Sequence, residues 1–136
     1  MATLTNKTLL LTGGTGSFGT KFTEIALTEN PTAIRIFSRG ELLQQQMAEK
    51  FTDNRLRFFI GDIRDKDRLY RAMLGTDIVV HAAALKQVPA CEYNPIEAVR
   101  TNIEGAINVI DAAIDNSVEK VMAISTDKAV HPVNLY

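Results

Sequence analysis

The sequence predicts an α/β protein whose parallel sheet carries helices on both faces. Short apolar runs alternate with longer helix-like stretches along the whole chain. The first run, TLLLT at 8–12, ends directly in glycines, the pattern of a strand buried on both faces that closes on a tight turn. Five strands with four helices between them fit into 136 residues, which calls for right-handed crossovers and a doubly wound sheet. The expected strand order is 3-2-1-4-5, with the ligand crevice above strands one and four, where the winding reverses.

Each element has its own signal. Thr8–Thr12 is strand one, and Ser17–Glu29 follows as a helix with Phe18, Phe22, Ile25 and Ala26 at helical spacing, stopped by Asn30-Pro31. Ala33–Phe37 is strand two, and Glu41–Phe51 is helical on propensity. Leu56–Ile60 is strand three, closed by Gly61. Asp65–Leu74 is a helix with Leu69, Ala72 and Met73 as its apolar stripe, and Asp77–His81 is strand four. Pro95–Asn116 is expected as one long helix, with proline at its start, where a missing N–H costs nothing. Its stripe Ile96, Val99, Ile103, Ile107 and Ile110 is expected to pack on the sheet. Lys120–Ile124 is strand five.

Bulk properties set limits on function. The chain is read as one domain, residues 1–136, with 46% hydrophobic and 23% charged residues, ordinary for a globular protein. A net charge of -1 gives no bulk attraction to nucleic acid or anionic membrane, so neither is expected as a partner. The single cysteine, Cys91, cannot form an internal disulfide and reads as a filler side chain in a reducing cytoplasm. No apolar run approaches the roughly 20 residues of a membrane span, and Met1–Lys7 lacks the layout of a signal peptide.

Five constellations carry chemistry. In Thr12-Gly13-Gly14-Thr15-Gly16-Ser17-Phe18-Gly19, Gly13 turns the chain off the strand and Gly16 leaves no Cβ against a pyrophosphate. Gly19 lets the helix pack closely while its N-terminal N–H groups face phosphate. A glycine motif after a strand and opening a helix is the context of a Rossmann-type dinucleotide site. The spacing of Gly13, Gly16 and Gly19 is that of the short-chain dehydrogenase/reductase superfamily. Ser38 and Arg39, at the end of strand two, replace the acid that would bind a ribose with a hydroxyl and a guanidinium. That favours NADP over NAD, the alternative for Arg39 being a solvated surface cation. Asp62 would accept from the adenine amino group with Ile63 against the ring face, or Asp62 is a turn or cap residue. Ala82, Ala83 and Ala84 leave room for the nicotinamide ribose, Lys86 reaches a phosphate or sugar oxygen, and His81 reads as a buried structural histidine. Thr126, Asp127 and Lys128, with Tyr136 beyond, suggest proton transfers and no metal, although Asp127-Lys128 could be a loop ion pair.

The segments TGGTGSFG, FSRGE, GDIRD, HAAALKQVP and STDKAVHPVNLY resemble the extended short-chain dehydrogenases that act on nucleotide sugars. Together they look like the inverting UDP-N-acetylglucosamine 4,6-dehydratases, lyases whose product leads toward pseudaminic acid. The resemblance implies roles residue by residue. Tyr136 takes the proton of the sugar 4-hydroxyl as hydride passes to NADP, and Thr126 hydrogen-bonds that oxygen. Lys128 removes the proton at carbon 5 and Asp127 protonates the departing 6-hydroxyl. Lys86 and Asn102 resemble positions near substrate and nicotinamide.

One departure stands beside these matches. The superfamily pattern continues with a lysine four residues after the tyrosine, and this sequence stops at Tyr136. The expectation is a chain truncated before its last strands and substrate lobe, inactive by itself. An uncovered strand five and long helix would then favour a homo-oligomer. The alternatives are a non-catalytic NADP-binding module and a fragment of a related capsule-type dehydratase or epimerase.

Overall fold

The computed structural model describes residues 4–82, 96 and 100–124. Five strands, β1 (Thr8–Thr12), β2 (Ala33–Ser38), β3 (Leu56–Ile60), β4 (Ile78–His81) and β5 (Lys120–Ala123), alternate with helices. These are α1 (Ser17–Ala26), α2 (Glu41–Phe51), α3 (Lys66–Met73) and α4 (Gly105–Asp115). All strand pairs are parallel and the order is β3-β2-β1-β4-β5, as the alternation predicts. Register places Thr12 beside Phe37 on one side and His81 on the other, so three strands finish level at one edge.

Side chains alternate between two cores. Leu10, Phe37 and Val79 face Leu69, Ala72 and Met73 of α3 and Val109, Ala112 and Ala113 of α4. Leu9, Leu11, Ile34, Ile36 and Val80 point to the opposite face, with Ala26 of α1 and Met47 of α2. Leu9, Leu10 and Leu11 are all 0% exposed, as an apolar strand covered on both faces requires. Burial of each such side chain contributes about 1.5–3 kcal/mol.

Two expectations about the helices need correction. The span expected as one helix contains a π-helical turn, Arg100–Glu104, before α4 begins at Gly105. The face of α4 laid on the sheet is also not the isoleucine stripe. Gly105, Val109, Ala112 and Ala113 are buried, whereas Ile96, Ile103, Ile107 and Ile110 are each more than half exposed. Size explains the reversal. A Cβ on Gly105 would stand 2.3 Å from Ile63 Cδ1, so the first turn of this helix lies too close for a side chain there. Gly19, Thr23 and Ala26 do the same for α1.

Candidate functional site

The level edge of β1, β2 and β4 is where the glycine turn leaves the sheet. Gly13 has φ 70, a left-handed conformation that favours glycine. Its N–H donates to the Phe37 carbonyl at 2.9 Å, pinning the turn to β2. A Cβ on Gly19 would lie 2.4 Å from the Gly14 carbonyl oxygen, so glycine there lets α1 begin against the turn. Gly16 differs from both. It has φ -75, and a Cβ there would be 3.7 Å from its nearest neighbour. Nothing within the described structure requires glycine at 16, so the open space outside it is the feature to be explained. Gly16 also caps α1 without a side-chain hydrogen bond to the first N–H groups of the helix. Gly16, Ser17 and Phe18 are exposed, and Thr15 is half-buried.

Ser38 and Arg39 lie beside this turn at the end of β2. Ser38 is buried, and Gln44 of α2 donates to its Oγ at 2.9 Å and to the Phe59 carbonyl at 2.9 Å. With Oγ accepting from Gln44, its own proton is left to donate elsewhere. Gln44, 5% exposed, escaped the sequence reading. The signal was its position three residues before the buried Met47, on the inner face of α2.

At the end of β3 the Gly61 N–H donates to the Ser38 carbonyl at 2.9 Å. A Cβ on Gly61 would meet Phe37 Cζ at 2.5 Å. Asp62 follows, and its carboxylate is gripped by Arg64. The Arg64 backbone N–H and Nε donate to Oδ1 at 2.9 and 3.1 Å, and Nη2 donates to Oδ2 at 2.7 Å. Arg39 Nη1 approaches the same Oδ2 at 3.8 Å. The Arg64 hydrogen bonds, with a smaller contribution from the charge of Arg39, hold the Asp62 carboxyl below the usual carboxylate range. These hydrogen bonds make Asp62 the turn residue that one of its two sequence readings expects. Ile63 is a correction. Its side chain is 4% exposed and packed beneath Gly105, so it is not free to lie against a ring.

At the end of β4 Thr12 Oγ1 lies 2.7 Å from His81 Nδ1 and accepts from the Ala82 N–H at 3.0 Å. His81 is half-buried and hydrogen-bonded, joining the ends of β1 and β4. Ala82 follows at the same edge, and Asn102, half-buried, lies in the π-helical turn. The expected roles of Ala83, Ala84, Lys86, Thr126, Asp127, Lys128 and Tyr136 fall outside the described residues. The structure thus brings together Gly13, Gly16, Ser38, Arg39, Asp62 and Ala82 along one sheet edge.

A family model described as "Polysaccharide biosynthesis protein" matches residues 9–136. The chain is 56% identical over 131 residues to a UDP-N-acetylglucosamine 4,6-dehydratase (inverting) of Campylobacter jejuni serotype O:23/36, covering 96% of this chain and 39% of the relative. It is 51% identical over 133 residues to a UDP-glucose 4-epimerase of Rickettsia felis, covering 95% of this chain and again 39% of the relative. Among solved structures it resembles DesIV, a dTDP-glucose 4,6-dehydratase of Streptomyces venezuelae with NAD and TYD bound. That match has a TM-score of 0.76 and 30% identity over 84% of this chain and 38% of the other. The chain therefore spans 39% of the length of these two curated relatives.

Proposed function

The chain belongs to the polysaccharide biosynthesis protein family, and from that premise we propose that it is the NADP-binding part of a nucleotide-sugar 4,6-dehydratase acting on UDP-N-acetylglucosamine. The observation that carries the reading is Gly16, a glycine the described protein does not need for itself, at an uncapped helix N-terminus above the point where the sheet reverses its winding. A pyrophosphate fits that space and accepts from the helix N–H groups. Gly13 and Gly19 shape the cradle, while Thr15, Ser17 and Phe18 form its rim.

Ser38 and Arg39 favour the 2′-phosphorylated cofactor. The hydroxyl of Ser38 and the exposed guanidinium of Arg39 are both groups that can donate, and no acid ends β2. Ala82, Ala83 and Ala84, with Lys86 and Asn102, are assigned to the nicotinamide and substrate side by family resemblance. When bound, NADP would supply a reversible hydride acceptor, one that takes hydride from carbon 4 of the sugar and gives it back at carbon 6. The chain's own residues handle protons. Tyr136 takes the one on the 4-hydroxyl, Thr126 holds that oxygen, Lys128 removes the one at carbon 5, and Asp127 donates to the departing 6-hydroxyl. Reprotonation of carbon 5 from the opposite face inverts that centre, and the net reaction is loss of water, a lyase step. The exposed stripe Ile103, Ile107, Ile110 and Ile114 supports a homo-oligomer, which sedimentation tests; a monomer at all concentrations refutes it.

The functional test titrates the protein with NADPH and NADH by cofactor fluorescence. Preferential binding of NADPH, lost on Gly16→Leu, is expected. Equal or absent binding overturns the assignment. Incubation with UDP-N-acetylglucosamine in deuterated water then separates the activities by NMR. Deuterium at carbon 5 of a 6-deoxy-4-keto product marks the dehydratase. The 4-epimer marks the alternative that the Rickettsia relative favours. NADPH binding with no turnover fits both the cofactor-binding part of the dehydratase and a binding module, whereas no binding undercuts both.

A further inference from the structure

We infer that Arg64 is a specificity-determining residue that sets the preference for a 2′-phosphorylated dinucleotide without touching it, by masking the charge of Asp62. The inference rests on the NADP reading above. Asp62 sits one strand away from the usual place of a ribose-binding acid, yet its carboxylate stands beside Arg39 at the end of β2. The Gly61 N–H is bonded to the Ser38 carbonyl, and Asp62 Oδ2 lies 3.8 Å from Arg39 Nη1. An unmasked carboxylate at that distance would repel an incoming phosphate and capture the guanidinium meant for it.

Arg64 prevents both. Its Nε lies 3.1 Å from each Asp62 oxygen, its Nη2 lies 2.7 Å from Oδ2, and its backbone N–H holds Oδ1 at 2.9 Å. The carboxylate is thereby turned to Arg64, and the Arg39 contact is left at a length where charge attracts but no hydrogen bond forms. Arg39, Asp62 and Arg64 together carry one net positive charge. Their side chains are 57%, 26% and 22% exposed, so the outermost group is the unmatched cation. Without Arg64 the remaining pair would be neutral and closed on itself. The predicted effect is about one surface-screened unit-charge interaction, roughly a tenfold change in the ratio of affinities.

The experiment measures NADPH and NADH dissociation constants for the wild type, R64Q, D62N and the double variant D62N/R64Q. Thermal melts are recorded alongside. The ratio of the two constants is the readout, because an effect on the shared adenine half cancels. R64Q is expected to lose about tenfold in its preference for NADPH, and D62N/R64Q to regain it. A merely structural Arg64 would lower the melting temperature and weaken both ligands alike, leaving the ratio fixed, and that result overturns the inference. So does a double variant that stays like R64Q. If R64Q does not fold, D62N alone decides, since the inference requires its NADPH preference to equal or exceed that of the wild type. A wild type that binds neither dinucleotide sinks the NADP reading itself, an outcome distinct from a NADPH-selective protein indifferent to Arg64.

Discussion

The two ends of β3 carry the same local device in different surroundings. Before the strand, Asp53 Oδ1 accepts from the Arg55 backbone N–H at 2.9 Å and from its Nε at 3.1 Å, and Nη2 reaches Oδ2 at 2.9 Å. After it, Asp62 and Arg64 repeat the arrangement almost atom for atom. An aspartate that bonds the N–H two residues on makes a tight turn, and an arginine at that second position closes the clamp from the side. Both carboxyls are held below their usual range chiefly by the arginine of their own turn. The difference lies in what stands beside them. Arg39 approaches Asp62, whereas among the described residues Arg55 of its own turn is the charged group that shifts Asp53. The same chemistry closes a turn at one end and tunes an exposed cation at the other.

Substitutions at the two ends should separate these roles. The largest expected effect is at Arg39. Arg39→Gln should weaken NADPH binding about tenfold to a hundredfold, the loss of one charge-assisted contact, while NADH binding stays near the wild-type value. Matching losses for both ligands would erase the functional distinction between the ends. Next is Gly61→Ala, which pushes a methyl group toward Phe37 and should cost about 1–3 kcal/mol in urea unfolding. An unchanged midpoint would mean that the end of β3 shifts freely.

A smaller effect compares the clamps directly. A depressed folded pKa stabilises fully above the unfolded carboxylate value of about 4 and is lost as pH falls through the lower folded value. Asp53→Asn and Asp62→Asn should therefore each flatten the fall in stability between neutral and strongly acidic pH. Asp53→Asn should leave the NADPH to NADH ratio unchanged, and Asp62→Asn should hold or raise it. A ratio that moves in Asp53→Asn would break the comparison. The smallest effect belongs to the exposed Lys7–Glu119 pair, 2.7 Å apart and far from either clamp in sequence. Glu119 raises the Lys7 pKa, so its contribution is present below the unfolded lysine value and fades as pH rises through the folded one. Lys7→Gln should shift the melting temperature slightly, and less at high salt.

Parts of this fold were legible because their signals are local. TLLLT followed by glycines marks a doubly covered strand, and five alternating steps leave few topologies. Leu69, Ala72 and Met73 were read as the inner stripe of α3, and all three are buried. The same rule misled at α4. Hydrophobicity pointed to Ile103, Ile107 and Ile110, but the inner face carries Gly105, Val109, Ala112 and Ala113, and Ile63 leaves no room for a side chain at 105. Gln44 was passed over because a polar residue in a helix gives no hint of the carbonyl and hydroxyl it meets across the chain.

By itself the sequence determined the order of elements, the glycine turn and the family likeness, because all depend on neighbours a few residues apart. Tertiary structure decided which glycines the protein needs for its own packing and which face of α4 meets the sheet. It also decided that Asp62, and not Asp53, stands beside Arg39. The physical reason is distance. Close approach of a helix to a sheet, and of one strand end to the next, joins residues far apart in the chain, and charge and steric clash act across the space between them.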